Sequence, residues 1–256
     1  MNISNISVSR KQVFDLCTQK YKYQYHLKIP PSGPEPFFFI YGKIVHTIAE
    51  EYVRCNGDTR INEIATQVLT GKIPVEEKDG KPVYAPVLPT EYKKKLPIHL
   101  SAIYKITKTM GFGGFLEYEF KLPLDNEGRC VYGFIDRLLI KNDAAFIVDY
   151  KTSKVSTFRK NKGTIGDDLQ LRTYGLVANK IFNISAEKIH AALYYLEDGK
   201  FVSTKFTNQM LEDAHAELLT TFKDIQNLKE NEAWGNVGDW CRRCDFFKLC
   251  PFYKIH

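Results

Sequence analysis

Gly133-Phe134-Ile135-Asp136-Arg137-Leu138-Leu139-Ile140-Lys141-Asn142-Asp143-Ala144-Ala145-Phe146-Ile147-Val148-Asp149-Tyr150-Lys151 reads as two apolar strands joined by a tight turn. The strands run over Val131 to Ile140 and Ala144 to Lys151, rich in β-branched and aromatic residues, and Lys141-Asn142-Asp143 turns the chain. A two-residue turn centred on Asn142-Asp143 makes paired residue numbers sum to 285, which sets Asp136 opposite Asp149. Directly paired side chains share a face, with Cβ atoms about 4.5–5.5 Å apart. Two carboxylates that close repel each other, and their neighbours Phe134, Ile135, Leu138, Ile147 and Val148 are apolar. Such a pair calls for a cation or a shared proton between the acids. Lys151, two residues beyond Asp149, lies on the same face, and its ammonium offsets part of the charge. The plainer reading is of solvated acids on the open face of an edge hairpin, with Lys151 a strand-edge charge.

The pattern extends in both directions. Phe115 to Leu122 alternates as a strand, and Asp125-Asn126-Glu127-Gly128 is a turn. A turn centred on Asn126-Glu127 makes paired numbers sum to 253 and brings Glu117 opposite Asp136, a third acid for the same face. After the hairpin come a basic loop (Val155 to Gly166), an amphipathic helix (Asp167 to Phe182) and a strand pair around Asp198-Gly199 (Ile189 to Leu196 and Phe201 to Phe206). A long helix follows from Asn208 to Asn231. Upstream, Ser9 is the expected N-cap of a helix with Val13, Leu16 and Cys17 on one face. Pro30 to Pro36 is a loop, and a helix is expected from about Tyr41 to Arg54, with His46 and Glu50 four residues apart on one face. Gly71 to Pro97 reads as an irregular insertion or flap, and Ile98 to Met110 as a helix. Helix, three-strand meander, helix and strand pair together make an α/β core, with no internal repeat.

Composition places few limits on this. Hydrophobic residues make up 44% of the 256 and charged ones 26%, a globular balance. A net charge of +6 permits a nucleic-acid partner without establishing one. No apolar run approaches transmembrane length, and the N-terminus lacks a signal pattern, so a cytoplasmic protein with no membrane partner is expected. Lys93 to Lys95 and Arg159, Lys160 and Lys162 could track phosphates or simply be solvated loops. Of six cysteines, Cys241, Cys244 and Cys250 crowd near the C-terminus, while Cys55 and Cys130 read as core residues. A C-x2-C pair with a third cysteine nearby suits zinc or an iron–sulfur cluster, and spacing alone does not choose.

With these residues in view, the chain resembles PD-(D/E)xK nucleases. Gly133-Phe134-Ile135-Asp136, then twelve residues, then Asp149-Tyr150-Lys151 is similar to the G-x-x-D … (D/E)-x-K signature. The RecB-type branch fits further: Gly42 to Glu50 reads G-x-x-x-H-x-x-x-E, and Gln170 to Tyr174 reads Q-x-x-x-Y. Cys17 with Cys241, Cys244 and Cys250 is similar to that branch's iron–sulfur subgroup, which includes AddB-type recombination nucleases and CRISPR-associated adaptation nucleases. Each motif alone is weak; their order from Ser7 to Cys250 carries the likeness.

The resemblance implies a restriction-endonuclease-like core, a mixed central sheet flanked by helices. It implies a single nuclease domain over 1–256, with an N-terminal helical part (1–110), a catalytic core (111–207) and a C-terminal helix and iron–sulfur segment (208–256). His46, Asp136, Asp149 and the backbone carbonyl of Tyr150 would hold Mg²⁺ or Mn²⁺, with Glu117 added by the strand register. Lys151 would orient or help deprotonate the attacking water, and Gln170 and Tyr174 would touch the scissile strand. Cys17, Cys241, Cys244 and Cys250 would hold a [4Fe–4S] cluster, Zn²⁺ being the alternative.

Taken singly, His46 could equally be a core histidine, Glu50 its hydrogen-bond partner or a solvated acid, and Gln170 and Tyr174 ordinary helix positions. The activity that the resemblance implies is exonucleolytic cleavage of single-stranded or end-bearing DNA in recombination, repair or DNA processing. No G-x-x-x-x-G-K-[ST] loop is present, so a helicase or recombination protein would be a separate partner. The rivals are a non-catalytic DNA-binding or assembly module and a structure-specific endonuclease.

Overall fold

The computed structural model of the chain describes residues 3–158, 161, 163–229 and 232–253. In chain order its elements are β1 (Asn5–Ile6), α1 (Val8–Leu16), α2 (Thr18–Tyr21), α3 (Phe37–Arg54), α4 (Ile61–Leu69), β2 (Glu76–Lys78) and β3 (Lys81–Val83). They continue with α5 (Thr90–Met110), β4 (Phe115–Pro123), β5 (Cys130–Lys141), β6 (Ala144–Lys151), α6 (Val155–Phe158), α7 (Leu169–Phe182), β7 (Ile189–Tyr195), β8 (Lys200–Lys205) and α8 (Asn208–Asn227). Six strands form a mixed sheet, hydrogen-bonded in the order β1-β5-β6-β7-β8 with β4 also on β5. The architecture is the expected α/β one, with helices packed on the sheet and a helical N-terminal region. The chain divides into two compact units. One comprises Met1–Pro34, Phe120–Gly133 and Leu211–His256, the other Glu35–Glu119 and Phe134–Met210.

In the second unit the β5–β6 hairpin has the expected register, Arg137↔Val148 to Lys141↔Ala144. Asn142 and Asp143 both take the left-handed conformation (φ 51° and 56°), as a two-residue hairpin turn requires. β6 then pairs in parallel with β7, from Ala145↔Ile189 to Lys151↔Tyr195, and β7 pairs antiparallel with β8. Helices α3, α4 and α5 bury one apolar cluster against the sheet: Tyr41, Ile44, Ile48, Val68 and Ile103 meet Val148, Tyr150 and Tyr194. The even numbers on β6 and β7 mark that face; Asp149 and Lys151 point to the other. Helix α7 packs against β7, and the Asp168 side chain caps it by accepting from Leu171 N at 3.1 Å.

In the first unit β1 runs parallel to β5 at Cys130 and Val131. Leu211, Ala214, Leu218, Phe222 and Ile225 form the buried stripe of α8, spaced three and four residues apart. Lys11 of α1 is buried and paired with Asp15 at 2.5 Å and Glu217 at 3.3 Å, which ties α1 to α8. His215 Nε2 contacts Leu124 O at 2.7 Å and ties α8 to the β4–β5 turn. In that turn Asp125 accepts from the Glu127 and Arg129 amides.

Several element boundaries differ from the sequence reading. Ser7, not Ser9, caps α1: Ser7 has the extended backbone a cap needs and accepts from Arg10 N at 3.2 Å, while Ser9 lies inside the helix. Helix α3 starts at Phe37 rather than Tyr41, directly after Pro36, whose extended backbone (ψ 134°) admits the chain to the helix. Helix α4 was not anticipated; its Ile64, Ala65 and Val68 are buried in the α3–α5 cluster. The segment from Gly71 to Pro97 contains the β2–β3 hairpin and the first two turns of α5. Pro97 sits inside α5, where burial of Leu96, Leu100 and Ile103 outweighs the missing backbone donor. Helix α8 ends at Asn227, short of the expected Asn231. Among the described residues no helix is long and apolar enough to cross a membrane.

His99 on α5 is wholly buried, with Nδ1 2.8 Å from the Tyr41 hydroxyl and, among the described residues, no partner for Nε2. Burial lowers its pKa to about 4, so the folded protein keeps the ring neutral while the unfolded chain protonates it below about 6.5. The unfolded state binds the extra proton between those values, so this contribution is whole above pH 6.5 and lost as pH falls towards 4. Its upper bound is about 3 kcal/mol. Denaturant titrations of His99→Gln from pH 7.5 to 4 should show a shallower loss of stability than the parent; an unchanged slope would refute the assignment.

Candidate active site

The β5–β6 ladder ends at Arg137↔Val148, one step before the two aspartates. There the Asp136 side chain replaces the ladder, and Oδ2 accepts from Tyr150 N at 2.6 Å. On the same carboxylate, Oδ1 lies 3.5 Å from His46 Nδ1, and Glu117 Oε1 from β4 lies 3.7 Å from that nitrogen. Ligand atoms of His46, Glu117 and Asp136 all fall within 4.8 Å of one another. His46 arrives on α3, seven residues from Phe39 and two turns into the helix. Its other nitrogen, Nε2, is 3.1 Å from Tyr150 O, an arrangement that leaves Nδ1 to the carboxylates. The Tyr150 carbonyl, expected as a metal ligand, also contacts the imidazole here.

Asp149 stands beside this set rather than in it. Lys151 Nζ is 2.6 Å from Asp149 Oδ2 and donates to Gln170 Oε1 at 3.2 Å. Gln170 Nε2 donates to Tyr174 OH at 2.8 Å, and Tyr174 OH donates to Asp149 Oδ1 at 3.4 Å. The four side chains close a ring, with Gln170 and Tyr174 one turn apart on α7. The Lys151 contact to Oδ2 is an ion pair, and among the described residues that buried oxygen has no aligned hydrogen-bond donor. Glu50, on the same helix as His46, is bound to Arg54, as is Glu51.

Electrostatics divides the two aspartates. Burial pushes Asp136 up, but His46 and the Tyr150 N–H more than offset it, holding the carboxyl below its ordinary range. Burial also pushes Asp149 up; Lys151 pulls down, the Asp136 charge adds to the rise, and the net value is about 6. Burial lowers His46, yet the Asp136 and Glu117 carboxylates raise it well above the ordinary histidine value. Burial lowers Lys151, while Asp149 and Asp136 raise it above the usual lysine value. The site therefore concentrates carboxylates and draws positive charge to them.

A divalent ion suits this donor set. Ligands about 2.1 Å from an octahedral ion stand roughly 3 Å apart, close to the spacing of His46 Nδ1 from its two carboxylates. The donors are carboxylate oxygens and one imidazole, a set that fits a divalent cation.

Cys17, Cys241, Cys244 and Cys250 line one cavity in the first unit, together with Tyr23 and Phe246. The backbone closes it: Gln19 N donates to Trp234 O at 3.0 Å, and Trp234 N to Thr18 Oγ1 at 2.7 Å. Among the described residues no three of these thiols bring their sulfurs within 4.8 Å of one another, so no converged thiolate site is present. Cys130 is buried, and Cys55 is half-buried against the α3–α5 cluster. Arg159, Lys160 and Lys162 lie outside the described residues. Arg137, which sequence reasoning passed over, is wholly buried next to Asp136; its signal was a guanidinium followed directly by the apolar run Leu138-Leu139-Ile140.

Residues 5–251 match the PD-(D/E)XK nuclease superfamily, and the chain belongs to that family. A protein of Mycobacterium phage L5, "Gene 69 protein", is 29% identical over an alignment of 148 residues that covers 54% of this chain. The match spans 45% of the phage protein, less than half its length. A solved structure from Eubacterium rectale described as "Putative exonuclease" shares the fold, with a TM-score of 0.55 at 15% identity over 94% of this chain and 88% of that one.

A ligand that binds only the folded protein raises its melting temperature. Added Mn²⁺ should raise the melting temperature of the parent protein by roughly 2–4 °C for each 1 kcal/mol of added stability, RT ln(1 + [Mn²⁺]/Kd), and EDTA should reverse the gain. Asp136→Asn should lose the Mn²⁺-dependent shift while still unfolding cooperatively. An equal shift in the variant would place the ion elsewhere.

Proposed function

We propose that the protein is a metal-dependent nuclease that hydrolyses phosphodiester bonds in DNA at the site of His46, Glu117, Asp136, Asp149 and Lys151. The observation that carries this reading is the convergence of His46, Glu117 and Asp136 beside the ion pair of buried Asp149 with Lys151, in a chain of the nuclease superfamily. His46, Glu117 and Asp136 would hold Mg²⁺ or Mn²⁺, with Asp149 turned towards it from the neighbouring strand. A divalent ion there supplies charge to the phosphate in the transition state and acidifies water.

The chain's own residues do the rest. His46 is fixed by its contact to the Tyr150 carbonyl, so it enters the site in one orientation. Lys151, anchored between Asp149 and Gln170, presents a cation where the attacking water and a phosphate oxygen would meet. Gln170 and Tyr174 hold that anchor from α7, and they would touch the scissile strand. Exonucleolytic action on single-stranded or end-bearing DNA, in recombination, repair or DNA processing, is the form of the activity we favour. The Eubacterium rectale protein that shares the fold is described as an exonuclease, in keeping with this form. Such an enzyme would work with a separate helicase or recombination protein.

The cavity lined by Cys17, Cys241, Cys244 and Cys250 supports a [4Fe–4S] cluster and, with it, the RecB-type iron–sulfur branch. Tetrahedral zinc at about 2.3 Å from each sulfur would draw the thiolates to roughly 3.8 Å of one another, closer than any three stand here. A larger cluster tolerates the wider spacing. Bound there it would join α2 to the C-terminal segment.

End-labelled and circular single-stranded DNA, incubated with Mg²⁺, Mn²⁺ or EDTA, separates the readings. We expect metal-dependent release of nucleotides from the labelled strand and little cleavage of the circle. Asp149→Ala and Lys151→Ala should lower the rate at least about 100-fold with DNA binding retained. Full cleavage by either variant would refute the site, and efficient cutting of the circle would make the enzyme an endonuclease. Anaerobically purified protein should contain iron and sulfide, and Cys17→Ala should lose both; stoichiometric zinc in a colourless protein would replace the cluster.

A further inference from the structure

Arg137 heads the large side chains that the protein buries completely. A guanidinium stays charged under all ordinary conditions, and burying it without an opposite charge costs several kcal/mol. Among the described residues no carboxylate pairs with it, and its Nε and Nη1 lack hydrogen-bond partners. A leucine would pack in that place without this cost, so the arginine calls for a reason.

Its hydrogen bonds run to one segment. Nη2 donates to Gly111 O and, at 3.4 Å, to Gly113 O. The Tyr150 phenol lies beside the guanidinium; burial raises its pKa, and the Arg137 charge opposes the rise. The next residue, Gly114, is pressed against β5. Its φ is +101°, and a Cβ there would lie 2.6 Å from Leu138 O and 3.2 Å from Leu139 Cα. Residues 111 to 114 are thus pinned to β5 at two points, by a side chain and by backbone contact. Three residues further on stands Glu117, a non-glycine residue held at φ 43°. That conformation costs roughly 1–2 kcal/mol and persists only where its surroundings impose it. Here its carboxylate reaches the His46 ring from which Asp136 is also approached.

We propose that Arg137 is a positioning residue for Glu117. Its buried guanidinium fixes the start of β4 so that the Glu117 carboxylate completes the set made by His46 and Asp136. This rests on the reading that these three residues hold a divalent ion. Asp136 and Arg137 are consecutive on β5, so their side chains take opposite faces. One strand therefore supplies a ligand directly on one face and holds the backbone of a second ligand from the other.

The test is a cycle of Mn²⁺ affinities, measured by titration on protein shown to be folded by circular dichroism. Arg137→Lys keeps the charge but loses the planar fork that spans two carbonyls. It should weaken Mn²⁺ binding about tenfold, the scale of orienting groups around metal sites, and Glu117→Gln should weaken it at least as much. If Arg137 acts through Glu117, the double variant binds no more weakly than Glu117→Gln alone. A double variant weaker by the product of the two single effects would make Arg137 a general packing residue and overturn the proposal. Should Arg137→Lys fail to fold, Gly114→Ala perturbs the same segment at its other anchor and should show the same non-additivity with Glu117→Gln. Parent affinity in the folded Arg137→Lys and Gly114→Ala proteins, with weak binding in Glu117→Gln, overturns the positioning role alone. Unchanged binding in Glu117→Gln removes the metal reading and the proposal with it.

Discussion

Two left-handed residues at the β5–β6 turn decide which acids can meet. Asn142 and Asp143 close the hairpin with a two-residue loop, and that loop permits a single register. A slip of one residue would send Asp136 to the opposite face and replace it with Ile135 or Arg137. With the register fixed, Asp136 and Asp149 arrive together at the point where the ladder ends. The backbone amide freed there, Tyr150 N, is satisfied by Asp136 itself. His46 from α3 and the Gln170–Tyr174 pair from α7 close around an arrangement that the turn has set.

The protein concentrates negative charge and answers it in two different ways. Asp136 is kept ionised by the imidazole and by a backbone N–H, whereas Asp149 is lifted by burial and by its neighbour despite the lysine beside it. Two chemically identical side chains, opposite each other on one hairpin, are thereby given different proton affinities by their surroundings. The cavity in the other unit draws on a different chemistry, soft sulfur in place of hard oxygen. Its lining comes from two stretches more than two hundred residues apart in sequence, Leu16 to Tyr23 and Gly235 to Tyr253.

Much of this was legible because the hairpins carry local signals. Asn142-Asp143 announces its turn, the two strands alternate, and counting outward from the turn locates Asp136, Asp149 and Lys151. Counting from the preceding turn brought Glu117 to the site, and Leu124 N to Arg129 O at 2.8 Å shows that the register holds near that turn. What stayed hidden was tertiary. Helix α4 is nine residues whose helicity rests on burying Ile64, Ala65 and Val68, and no isolated signal demands it. Pro97 suggested irregular chain, but the apolar face of α5 carries the helix through it. Arg137 reads as one more charge beside Asp136 until its hydrogen bonds to the carbonyls of Gly111 and Gly113 are seen. Ser7 against Ser9 is a difference of two residues that only the backbone angle at the cap resolves.

The account stands or falls on where a divalent cation settles. Crystals soaked in Mn²⁺ and measured for anomalous scattering would locate it. The account predicts one strong peak bounded by His46 Nδ1, a Glu117 oxygen and Asp136 Oδ1, with Asp149 on its flank. A peak away from these atoms, or none at a Mn²⁺ concentration that supports cleavage, would contradict it.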